Sequence, residues 1–142
     1  MNNSTRFIFH VSIASVVFGY FIATANAASA SGFDAKLLEL AGKSSIDCGV
    51  VPLGSDTSTA IRCAKAASND GKAFRVSIQA QGVDSEIWMG AARNAAGKMW
   101  TAMSDSDPSG GGHVGAAIHI NDCKKIGWKE KYFRCLDPES IP

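Results

Sequence analysis

A chain of 142 residues with 14 Lys and Arg against 13 Asp and Glu is close to neutral, which excludes the long-range attraction to nucleic acid or to an anionic membrane that a strongly basic protein has. Any preference for anions must be local. The length suits one domain with one core, and neither an internal repeat nor a second domain is visible.

Arg6 lies in a polar leader, residues 11–22 are apolar, and Ala25-Asn26-Ala27 supplies small side chains where a signal peptidase cuts. Residues 1–27 therefore read as an export signal removed after Ala27. A membrane anchor needs about 20 apolar residues, and Ser12, Ser15, Gly19 and Thr24 interrupt this run. The first cysteine, Cys48, lies too far on for lipid attachment. Cleavage takes Arg6 away and leaves 13 basic against 13 acidic residues. The single domain over residues 28–142, about 115 residues, would bury roughly two thirds of the surface its unfolded chain exposes.

Residues 28–32 are small and polar and are expected to fray. Residues 33–41 then place Phe33, Leu37, Leu40 and Ala41 on one helical face, with Gly42 as the stop. Residues 47–56, with Gly49, Pro52 and Gly54, read as a loop anchored by Cys48. Asp56 or Ser58 can cap a second helix in which Ala60, Cys63, Ala64 and Ala67 repeat at helical spacing, and Asn69-Asp70-Gly71 ends it.

From Ala73 the period becomes two: Phe74, Val76, Ile78 and Ala80 point one way, Arg75, Ser77 and Gln79 the other. This is the clearest strand. After a turn at Gly82-Val83-Asp84, residues 86–93 and 98–103 form a hairpin around Asn94-Ala95-Ala96-Gly97. Pairing Arg93 with Lys98 sets Trp88 opposite Met103 and Ala91 opposite Trp100. Both faces then carry large apolar groups, so helix is expected on one side and more chain, or a partner, on the other.

Residues 104–112 are turn-rich, and residues 114–120 form a last strand with Val114, Ala116, Ile118 and Ile120 inward. The remainder reads as a disulfide loop and a polar tail. The expected fold is α+β: two short N-terminal helices packed on one face of an antiparallel sheet of three or four strands, with two disulfides.

The four cysteines follow the cleavage point, and an even number in an exported chain reads as two bridges. Cys48 with Cys63 and Cys123 with Cys135 close short loops and are preferred, while crossed pairings stay open. Each bridge contributes about 2–4 kcal/mol by restricting the unfolded chain. Zinc fails on spacing, because no Cys-x-x-Cys and no nearby histidine pair is present. No cofactor is expected.

Asp105-Ser106-Asp107-Pro108-Ser109-Gly110-Gly111-Gly112 alternates carboxylates ahead of a hydroxyl and glycines, like the start of a calcium loop. An EF-hand would need a bidentate Glu where Ala116 stands, and Pro108 stiffens the stretch. An ordinary turn explains the same residues. His113 and His119, six apart on a strand, share a face about 20 Å from each other and cannot hold one metal together. A triad of Ser85, Asp84 and either histidine can be drawn, but Asp84-Ser85-Glu86 is explained by a turn opening a strand. Neither Asp84 with Glu86 nor Asp105 with Asp107 has the apolar surroundings that a raised carboxyl pKa requires for glycoside hydrolysis. The glycine run lacks the Lys-Ser/Thr ending of a phosphate-binding loop.

The C-terminal segment is the best candidate contact surface. Lys124, Lys125, Lys129, Lys131 and Arg134 stand against a single Glu130 and interleave with Trp128, Tyr132 and Phe133. Aromatic faces beside cations suit a polyanion, a glycan or an acidic protein surface. The alternative is that Trp128 and Phe133 turn inward while the lysines stay in water.

Cys48-Gly49, Ala64 to Ala67 after Cys63, Gly71-Lys72-Ala73-Phe74, Gln81-Gly82-Val83-Asp84-Ser85 and Asp105 to Gly111 together resemble a group of small exported bacterial proteins without assigned function. The likeness covers residues 48–112 and does not extend to the lysine-rich segment after Cys123. It implies an exported protein of one domain and carries over no activity.

The expected role is a small periplasmic or secreted binding protein, such as an inhibitor or immunity protein of the cell envelope, whose partner is another envelope or secreted protein. Neither nucleic acid nor stable membrane insertion after cleavage belongs to this expectation. The candidate binding residues are Lys125, Trp128, Lys129, Lys131, Tyr132, Asp105 and Asp107. The alternatives are a small hydrolase using Ser85 with His113 or His119, and a structural envelope component.

Overall fold

Alternation in residues 74–80 places Phe74, Val76 and Ile78 on one face of a central sheet, Trp88, Ala92, Trp100 and Ala102 of the next two strands make the other face apolar, and the rest of the chain covers both. The computed structural model describes residues 27–110, 117–129 and 132–136. The expected export signal, residues 1–27, lies outside the described residues apart from Ala27, which opens α1. In chain order the elements are α1 (Ala27–Ala41), β1 (Ile46–Val51), α2 (Ser58–Asn69), β2 (Phe74–Gln81), β3 (Glu86–Arg93), β4 (Met99–Asp105), β5 (Ile118–Cys123), β6 (Lys125–Trp128) and β7 (Phe133–Leu136).

Five strands form one sheet in the order β1-β2-β3-β4-β5, and β6 with β7 forms a separate hairpin. β1 runs parallel to β2 while every other neighbour is antiparallel. The fold is α+β, but the sheet is mixed and has five strands where three or four antiparallel ones were expected. The added strand is β1, which occupies residues read as a loop. Its register slips between Asp47 and Val50, and Gly49 sits there at a φ of 103°, as a bulge requires. Pro52 falls just beyond the strand. A parallel pair needs a crossover, and α2 is that crossover.

The N-cap of α2 is Thr57, between the two expected candidates Asp56 and Ser58. The Asp56 carboxylate accepts from the Ser58 amide at 2.9 Å and from its hydroxyl at 2.7 Å, and these bonds hold the Asp56 carboxyl below the ordinary Asp value. Ala60, Ile61, Ala64 and Ala67 form its buried face. The helix stops before Gly71, whose φ is 71°. α1 starts at Ala27, so residues 28–32 are helical rather than frayed, in keeping with their alanines.

The two helices lie on opposite faces of the sheet, not on one. Phe74, Val76 and Ile78 pack with the buried side of α2 and with Ile126 and Phe133 of the β6–β7 hairpin. Trp88, Ala92, Trp100 and Ala102 pack with Phe33, Leu37 and Ala41 of α1. The β3–β4 turn also differs from the expectation. The Asn94 amide donates to the Lys98 carbonyl, the Gly97 amide to the Asn94 carbonyl, and Gly97 has a φ of 86°. This is a three-residue loop with a left-handed glycine, so Arg93 pairs with Met99 and not Lys98. One residue of slip moves side chains to the other face. Trp88 now stands opposite Ser104, Ala91 opposite Thr101, and the tryptophans share the α1 face.

Arg75 couples the layers. Its side chain, 12% exposed, lies between Asp34 of α1 and Asp47 of β1, with Nε 3.4 Å from Asp34 Oδ1. That Nε contact attracts by charge without hydrogen-bond geometry.

The C-terminal part is more ordered than a loop and tail. β5 starts at Ile118, later than expected, and runs on through Cys123, which pairs with Met99; the Val114 and Ala116 positions lie outside the described residues. Both short-range disulfides are present, with Cα separations of 5.5 Å for Cys48–Cys63 and 5.1 Å for Cys123–Cys135. The second ties β7 to the end of β5, and Thr101 Oγ1 lies 3.3 Å from Cys135 Sγ beneath it.

A Cβ added at Gly90 of β3 would come within 2.5 Å of Leu37 Cδ1 and 2.8 Å of Phe33 Cε1, so α1 rests directly on this glycine. Gly90→Ala is expected to lower the unfolding free energy by about 1–3 kcal/mol through overpacking. Denaturant titration reads this, and an unshifted midpoint would show that α1 does not pack there.

Candidate functional site

α2 and the β6–β7 hairpin lie side by side on the same face of the sheet, and a recess of about 330 Å³ remains between them. Ile61, Arg62, Lys65, Trp128 and Lys129 line it. Alternation along β6 sends Ile126 and Trp128 toward the sheet and Lys125 and Gly127 away, and the paired β7 residues follow suit: Phe133 inward, Arg134 outward. Trp128 is half-buried. Its ring meets Phe133 edge-on at 5.8 Å between centroids and Phe74 at 5.9 Å with a tilt of 47°, so the indole is held in one place.

The rim is cationic. Arg62 and Lys65 are exposed one turn apart on α2, Arg62 donating to Thr59 Oγ1 at 3.3 Å. Lys129 Nζ lies 5.3 Å from the centre of the Tyr132 ring, a cation–π contact. Lys36, Lys72, Arg75 and Lys98 each have a carboxylate partner. Among the described residues, Arg62, Lys65 and Lys129 have none. Asp56 feels the Arg62 charge through space, but its oxygens are engaged by Ser58. What this arrangement can do is hold an anionic group beside an apolar one.

Of the expected contact residues, Trp128 and Lys129 line the recess, while Tyr132, 41% exposed, is not part of its lining and meets it only through the Lys129 ammonium over its ring. Lys125 points away from it on the outer face of the hairpin. Lys131, with Glu130, lies outside the described residues. Phe133 is buried at 6% exposure, so the aromatic cluster is part core and part groove wall. Sequence reasoning missed Ile61, Arg62 and Lys65. Two cations at i and i+3 on the exposed side of an alanine-faced helix were the available signal, but nothing local says that the distant hairpin packs beside them.

Asp105 and Asp107 belong to a different place. With Asp84, Ser85 and Gly110 they line an open cleft of about 610 Å³ at one end of the sheet. The Asp107 amide donates to Asp105 Oδ1 at 3.0 Å, and the Gly110 amide to the Asp107 carbonyl at 3.3 Å. These are turn bonds. Among the described residues no three His, Cys, Asp or Glu side chains come close enough together to hold a metal ion.

Ser85 is buried at 8% exposure, in a turn closed by the Gly82 amide on its carbonyl. His119 is exposed on β5, level with Met103 and Met89. That places it about 14 Å along β3 and two strand spacings, about 10 Å, across the sheet from Ser85. The structure does not bring the two together, and His113 lies outside the described residues.

No protein-family model, no curated protein and no solved structure matches this chain. The groove therefore stands on its own geometry.

Trp88 and Trp100 are only 5% and 7% exposed, which leaves Trp128 as the indole that solvent reaches. In acrylamide quenching the accessible part of the emission is expected to disappear in Trp128→Phe. An unchanged accessible fraction would mean that Trp128 does not face the groove.

Proposed function

We propose that this chain is a small exported binding protein that acts in the periplasm or outside the cell and holds an envelope or secreted protein without transforming it. An inhibitor or immunity protein is the form of that role it suits best. The observation carrying the reading is the gathering of three cations that have no carboxylate partner among the described residues, Arg62, Lys65 and Lys129, around the apolar surface of Ile61 and Trp128. Unsatisfied charge beside a fixed aromatic side chain is the composition of an interface hot spot.

Two further features support it. Both walls of the groove are stapled, α2 through Cys63 and the hairpin through Cys135, so little ordering cost remains when a ligand arrives. Disulfides also suit an oxidising compartment, and no helix among the described residues is long and apolar enough to cross a membrane. The separation of Ser85 from His119 gives the hydrolase reading no support.

The test is capture from envelope extract on the immobilised, oxidised chain, side by side with a triple variant carrying Arg62→Glu, Lys65→Glu and Lys129→Glu. A specific partner held by the natural chain and lost from the variant is expected, with retention falling as salt rises. A partner held equally by both, or none at any salt, would contradict the proposal.

A further inference from the structure

The geometry points to a more definite ligand for this groove, and the inference rests on the binding-protein reading above. The groove takes an acidic peptide segment of the partner, with one apolar side chain seated between Ile61 and Trp128 and carboxylates on either side of it. Those carboxylates pair with Arg62 and Lys65 on the α2 wall and with Lys129 on the hairpin wall.

The placement of the cations decides between a peptide and a compact anion. Arg62 and Lys65 are separated by about 4.5 Å along the α2 axis at 1.5 Å rise per residue, and Lys129 stands on the other wall. Charges spread along and across a groove match carboxylates spread along a chain. A single phosphate is served best by donors converging on one point.

The floor decides against a sugar platform. Trp128 already spends ring surface on Phe74 and Phe133, and a stacked sugar needs an open aromatic face. What remains, beside the buried Ile61, suits a branched aliphatic or aromatic side chain. At about 330 Å³ the recess lies at the small end of ligand pockets, with room for a side chain and the backbone on either side of it. A peptide also brings carbonyl oxygens. The Trp88 indole is engaged by Glu86 Oε1 at 2.5 Å, whereas among the described residues nothing accepts from Trp128 Nε1. The proposed peptide places one of those oxygens on that N–H.

Fluorescence anisotropy with a labelled, end-capped peptide of Gly-Ser-Glu-Asp-Leu-Glu-Asp-Ser-Gly, added to the oxidised mature chain at low salt, tests this. Binding is expected to weaken roughly tenfold or more when the acids become Gln and Asn, and again when Leu becomes Gly. Lys65→Glu and Lys129→Glu should each weaken it by a similar factor. Both positions are exposed, so neither variant threatens the fold, unlike replacement of Trp128. On the natural chain, peptide should shift the Trp128 indole N–H and Ile61 methyl resonances.

No binding up to about 1 mM, or binding unaffected by both charge reversals, overturns the peptide assignment. Dextran sulfate or polyphosphate bound through Arg62, Lys65 and Lys129 in place of the peptide would overturn it too, while leaving the groove as the binding site. Loss of the groove reading itself would show as no probe of any kind shifting Trp128 or Ile61.

Discussion

Neither face of the β2–β4 sheet can be left to water. One carries Phe74, Val76 and Ile78, the other Trp88, Trp100 and Ala102, all at or below 7% exposure. Burying a side chain of the larger kinds contributes about 1.5–3 kcal/mol, so an open face would cost several such amounts against a total stability of about 5–15 kcal/mol. Opposite placement of the helices follows. α1 covers one face across β2, β3 and β4. The other face is wider than α2, which covers β1 and β2, and the β6–β7 hairpin completes the cover over β4 and β5. The groove is the seam between these two covers. A site thus arises where two pieces of chain meet on one sheet, and its walls are as firmly placed as the core beneath them.

Near-neutrality of the whole conceals a separation of charge. Asp84, Asp105 and Asp107 gather at the turns of one sheet end, while Arg62, Lys65 and Lys129 edge the groove on the α2 face. At physiological ionic strength charge acts over about 8 Å, so a partner meets a local basic surface and not the average. The third arrangement of charge is internal. Arg75 between Asp34 and Asp47 links the α1 layer to the parallel β1–β2 pair, where removal of both carboxylates would leave a largely buried guanidinium unpaired.

Much of the local structure was legible in the residues. The alternation of β2, the alanine face of α2 and the presence of a β3–β4 hairpin follow from local spacing, and the cysteine pairs present are the short-loop ones preferred over the crossed pairings that spacing left open. The errors share a physical origin in tertiary choice. β1 looks like a loop because Gly49 and Pro52 are breakers, yet one sits in a bulge and the other past the strand end, and pairing with β2 decides the matter. Asn94 and Gly97 close a three-residue loop where a different count was read, and that single residue moved both tryptophans to the α1 face. The lysine-rich stretch concealed β6 and β7, whose inward Ile126, Trp128, Phe133 and Cys135 alternate with the charges. For the site, Trp128 and Lys129 were visible, whereas Ile61, Arg62 and Lys65 join them only through packing between distant segments.

Which cover lies on which face decides the groove, and nuclear Overhauser contacts in the oxidised chain read that directly. Contacts of the Trp128 ring with Phe74 and Phe133, together with contacts of Phe33 and Leu37 with Trp88 and the Gly90 α-protons, are the predicted result. Contacts of Trp88 or Trp100 with α2, or a Trp128 ring without neighbours from β2, would contradict it and dissolve the groove.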